Sequence, residues 1–174
     1  MGARVLFSYF KKYRLDLIDS LGSIILINPE ADLNTLYELY PYIITRVQSI
    51  TIYCDGKDTA LYWADIANYS RTFFNNAFHN KSSMSYEIGM GRNILEPLRD
   101  SEGNLLSIDI INAGSVHGNV AEVRHCYFSL SREVIEDIRE HIVEGKSAFS
   151  RVSRLIKREG NIYDFLIAPP YVLH

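Results

Sequence analysis

Two short segments hold the residue types from which an acid–base relay is built. Asp55 and Asp58 close the turn Asp55-Gly56-Lys57-Asp58, and His125 stands in Arg124-His125-Cys126-Tyr127-Phe128. A carboxylate that accepts from one imidazole nitrogen fixes the tautomer and leaves the other nitrogen free to act as a general base. Asp58 is the better-placed acid and Asp55 the reserve. Each residue also has a plainer reading. Asp58 suits the N-cap of a helix starting just after it, and His125 suits an ordinary loop or core histidine. On spacing alone the plainer readings carry more weight.

Other constellations are weaker. His117 and His125 lie eight apart on a glycine-containing loop without a Cys pair or an H-E-x-x-H, so no metal site is expected. Gly89-Met90-Gly91 lacks the preceding strand and the third glycine of a dinucleotide fingerprint, and no cofactor is expected. The basic residues Lys146, Arg151, Arg154, Lys157 and Arg158 read as a solvated face. A contact for an acidic partner or lipid headgroups is the lesser reading.

The acid and the histidine need elements to position them. Residues 23–27 and 49–54 are short β-branched runs of the kind buried in parallel sheets, and 105–111 is a third candidate strand. Helices are predicted over 3–13, 31–46 (with a kink or break at Pro41), 58–69 and 131–143. The first carries an apolar stripe of Val5, Leu6, Tyr9, Phe10 and Tyr13. The last is capped by Ser131 and carries Val134, Ile135, Ile138 and Ile142. Residues 70–104 form a long variable loop, and 112–129 a second loop. Alternation of this kind predicts an α/β domain, a three-layer α/β/α sandwich on a mostly parallel sheet. The domain is expected to span 1–143, followed by a tail over 144–174 draped on the surface. In such sheets, chemistry collects beyond the carboxyl ends of the strands, where 28–32, 55–58 and the loop carrying His125 all fall.

Composition narrows the function classes. The chain has 174 residues, one domain's worth, with 47% hydrophobic and 22% charged residues, which argues against a disordered or low-complexity chain. Its net charge of −3 offers no basic surplus for generic nucleic-acid binding. The apolar runs, such as Ile24 to Ile27, are far below the roughly 20 residues that span a bilayer. Cys54 and Cys126 form no disulfide framework and suit a reducing, intracellular and cytoplasmic setting.

The run IILINPEADLNTLYELYPYIITRVQSITIYCDGKDTAL, followed by GNVAEVRHCYFSL and a helix, resembles the part of an α/β-hydrolase that follows its nucleophile. The nearest branch is a poorly characterised group of serine-hydrolase-like proteins, and the resemblance covers residues 1–143. It implies that Asp58 is the triad acid, His125 the triad base and Asp32 a structural acid near the site. Met1-Gly2-Ala3-Arg4 is similar to the end of a G-H-S-M-G-x-R elbow, which implies that Met1 stands just after the serine as a remnant of the oxyanion backbone. No G-x-S-x-G occurs in the chain. The resemblance therefore implies a partial hydrolase fold lacking its N-terminal strands. It also implies an enzyme type acting on small esters or lipids, inactive alone for want of the nucleophile. The alternative is a non-catalytic remnant that acts as a protein-interaction module, or self-associates, through a sheet edge exposed along residues 23–27.

Overall fold

The structure is a computed structural model that describes residues 2–13, 21–63, 66, 88–90, 96–116 and 131–166. Five strands form one sheet: β1 (Leu21–Ile27), β2 (Val47–Cys54), β3 (Asp109–Asn112), β4 (Leu155–Glu159) and β5 (Ile162–Phe165). Their order is β1-β2-β3-β5-β4. The first four in that order are parallel neighbours, and β4 closes the edge antiparallel to β5. Helices α1 (Gly2–Tyr13) and α2 (Leu33–Ile43) pack on one face and α3 (Arg132–Glu144) on the other. The α/β reading and the mostly parallel sheet are borne out.

The alternation of side chains along each strand splits the core in two. Ile24, Leu26, Ile50, Ile52, Cys54, Ile110 and Ile162 face α1 and α2, whereas Tyr53, Ile111, Tyr163 and Phe165 face α3. Helix α1 meets the first core through Phe7 and Phe10, 4% and 2% exposed, with Ala3 and Leu6 packed beside them. Burial of each phenyl ring is worth about 1.5–3 kcal/mol. The stripe predicted for α1 is thus rotated: Val5, Tyr9 and Tyr13 are exposed. Helix α2 begins where Asp32 accepts from the Thr35 amide and hydroxyl, and it contains Pro41.

Three expectations are corrected. In α3, Ser131 is the cap as predicted, but the buried face is Val134, Asp137 and His141, while Ile135 and Ile142 are exposed. The inward polar residues are held by partners from elsewhere in the chain. The third strand is shorter than 105–111, because Leu105 instead bridges Arg99 and the regular pairing starts at Asp109. The segment expected to drape as a tail supplies β4 and β5 over its described part, and Ile162, Tyr163 and Phe165 are buried in the sheet.

Candidate functional site

The carboxyl ends of β1, β2 and β3 lie side by side, and each is followed by a buried polar residue or turn. Asp55 follows β2 directly and is fully buried. One of its carboxylate oxygens accepts from the Lys57 amide at 2.8 Å, which shapes the turn to Asp58. Asp58 is 1% exposed and caps the helical residues 59–63 by accepting from the Leu61 amide at 3.0 Å. Its other oxygen accepts from Nδ2 of Asn28 at 2.6 Å, across from the end of β1. The helix-cap reading of Asp58 and a position at the mouth of the sheet therefore hold together.

Asn28 was not singled out by its type or spacing. It adopts φ 41°, the left-handed region that Asn tolerates better than most residues, and it is 3% exposed. Gly89, read in the sequence only as part of an incomplete glycine fingerprint, has a packing role instead. The short turn Ile88–Met90 bonds to both strand ends: the Gly89 amide donates to the Pro29 carbonyl, the Ile88 amide to the Ala31 carbonyl, and the Asp55 amide to the Gly89 carbonyl. A methyl on Gly89 would stand 2.5 Å from the Asn28 carbonyl carbon. The sequence signal at 28 was the Asn-Pro pair ending a strand. For Gly89 the signal was a glycine in a polar loop, with no clue to its contact.

On the β3 side, Asn112 accepts from the Gly114 amide and donates to Asp164, which forms a two-point pair with Arg158. A methyl on Gly114 would stand 3.5 Å from a carboxylate oxygen of Asp55, so the loop leaving β3 starts beside the acidic turn. His117, His125, Cys126 and Met1 lie outside the described residues. Asp32 is the N-cap of α2, a structural role, and lines a cleft between α1 and α2.

The chain was compared with protein-family models, curated proteins and solved structures, and none of the three gave a match.

Among the described residues no three His, Cys, Asp or Glu side chains are grouped to hold a metal ion. No described helix is long and apolar enough to cross a membrane. The basic stretch is not a solvated face throughout. Arg151 is fully buried and bonds to the Asp137 carboxylate and the Tyr53 hydroxyl, while Lys146 pairs with Glu144, Arg154 with Glu140 and Arg158 with Asp164. Burial, then the Asp137 charge, pushes the Tyr53 phenol far above its usual range. Burial also pushes the Cys54 thiol up to about 12, leaving it an inert packing residue.

Proposed function

We propose that this chain carries the acid and histidine of a serine-type α/β-hydrolase acting on esters or lipids. Asp58 orients the His125 imidazole, with Asp55 in reserve. The observation that carries the reading is Asp58 itself. It is a buried carboxylate beyond the carboxyl end of a central parallel strand, braced from the neighbouring strand by Asn28. The topology supports it as well. Strands β1, β2 and β3 run in sequence order across the sheet, and His125 falls between β3 and α3. Helix α1 packs on the same face as α2, beside β1.

In this reading the imidazole takes a proton from a serine hydroxyl, and Asp58 stabilises the imidazolium formed. The 174 residues hold no G-x-S-x-G, so the attacking hydroxyl at this centre is not among them. The test is a titration of the His125 ring by NMR in the wild type and in Asp58→Asn, Asp55→Asn and Asp32→Asn. A neighbouring carboxylate favours the imidazolium, so Asp58→Asn should lower the His125 midpoint and Asp32→Asn should leave it unchanged. A larger effect of Asp55→Asn would transfer the role to the reserve acid. No response to either would refute the relay.

A further inference from the structure

A serine–histidine arrangement lies at the other end of β2, on the face of the sheet that α3 covers. His141, on the last turn of α3, is 3% exposed. Its Nδ1 is 2.9 Å from the Lys146 carbonyl oxygen, which can only accept, so Nδ1 carries a proton, and in the neutral tautomer this leaves Nε2 as the bare nitrogen. That nitrogen lies 3.2 Å from Oγ of Ser49 and 3.5 Å from Oγ1 of Thr51. Ser49 is half-buried, and its hydroxyl donates to Oγ of Ser23, exposed on β1, at 2.8 Å; rotation about the Ser49 C–O bond turns the same proton to Nε2 of His141. Thr51 is fully buried and out of reach of any reagent.

From this geometry we infer that Ser49 is a nucleophile activated by His141, a site of acylation by activated esters. A hydroxyl within hydrogen-bond reach of a base whose tautomer is fixed by a third group is the arrangement that nucleophilic catalysis needs. The third group here is a carbonyl rather than a carboxylate, and it holds the ring without neutralising an imidazolium. That restricts the chemistry to electrophiles with a good leaving group, such as aryl esters or thioesters. Oγ of Ser49 attacks the acyl carbon as its proton passes to Nε2 of His141. The bond from the acyl carbon to the leaving oxygen or sulfur then breaks, the leaving group departs with the electron pair, and His141 returns the proton to it or to water. Ser23 supplies the solvent-facing end of the hydroxyl row.

The experiment incubates the full chain with p-nitrophenyl acetate and locates acetyl groups by peptide mass spectrometry. Acetyl-Ser49 is expected in the wild type and, at the same rate, in His125→Ala, which separates this site from the Asp58 centre. General-base assistance is worth about 100-fold or more, so His141→Gln should slow Ser49 acetylation by about that factor while surface tyrosines and lysines react as before. The wild-type adduct map decides the matter even where His141→Gln fails to fold. Acetylation confined to lysines, tyrosines or Ser23 would overturn the proposal, as would equal Ser49 labelling in folded His141→Gln.

Discussion

Gly89→Ala tests whether the turn at 88–90 is a fixed wall of the Asp58 centre. An added methyl would meet the Asn28 carbonyl carbon at 2.5 Å, the Asn28 Cα at 2.8 Å and Cδ1 of Leu61 at 2.7 Å. The first contact lies roughly 0.9 Å inside the 3.4 Å at which ordinary contact begins. The leucine methyl can swing away, but the Asn28 backbone is held by its amide bond to the Tyr53 carbonyl, and the Gly89 backbone by bonds to Pro29 and Asp55. Overpacking typically costs about 1–3 kcal/mol, and an obstacle made of main chain belongs at the upper end. Loss of glycine's freedom in the unfolded chain returns about 0.4–1 kcal/mol. The net expectation is a loss of about 2 kcal/mol, or about 30-fold in the folding equilibrium. With a urea slope of about 2 kcal/mol/M, the midpoint should fall by about 1 M. Gly22→Ala, with nothing within 4 Å, is the control and should change little. Gly89→Ala within about 0.5 kcal/mol of the wild type would refute the wall, because that is the scatter expected of surface changes.

Two further predictions concern buried groups. Asp137→Leu or Arg151→Met alone leaves an uncompensated charge in the α3 layer and should cost about 3–5 kcal/mol in urea unfolding. The double variant Asp137→Leu/Arg151→Met should cost much less than the two losses added, and strict additivity would show that the pair does not interact. Cys54, in a Cys126→Ser background, should not react with a disulfide reagent at pH 8 until urea unfolds the chain. An unfolded thiol titrates near about 8.5 while the native one is pushed up to about 12, so the native state keeps the proton that the unfolded state releases. Stability should therefore fall as pH rises through that window, and Cys54→Val should reduce the slope.

The parts of the fold that were legible in the sequence are those fixed by local chemistry. Asp58 and Ser131 each accept from an amide about a turn ahead, and a short polar side chain before a periodic run announces such a cap; the same role at Asp32 was missed because the helix was expected to begin at 31. The runs at 24–27 and 50–54 read as buried strands because their branched side chains face both cores. What failed depends on distant partners. The face of α3 was misjudged because Asp137 and His141 look like solvent residues until Arg151 and the hydroxyls of β2 reach them. Strand β5 has four residues, with Asp164 among them, and lies between β3 and β4, where only pairing across the sheet makes it a strand. Asn28 and Gly89 are 61 positions apart in sequence, and no local pattern joins them.

The bond from Asn28 to Asp58 separates a helix cap from something more. A cap needs one carboxylate oxygen and one amide, and the Leu61 amide already supplies the partner. Asn28 adds a donor from another strand, and it does so from a left-handed backbone that glycine would adopt at no steric cost. Retaining a side chain there costs strain, and the hydrogen bond to Asp58 offsets it. Asp58 is thereby held from two directions, through β1 by Asn28 and through its own helix by Leu61, while the Asp55 turn below it is pinned by the Gly89 carbonyl. Positioning of that kind exceeds what starting a helix requires, and it is what a carboxylate must have if it is to hold an imidazole in one orientation.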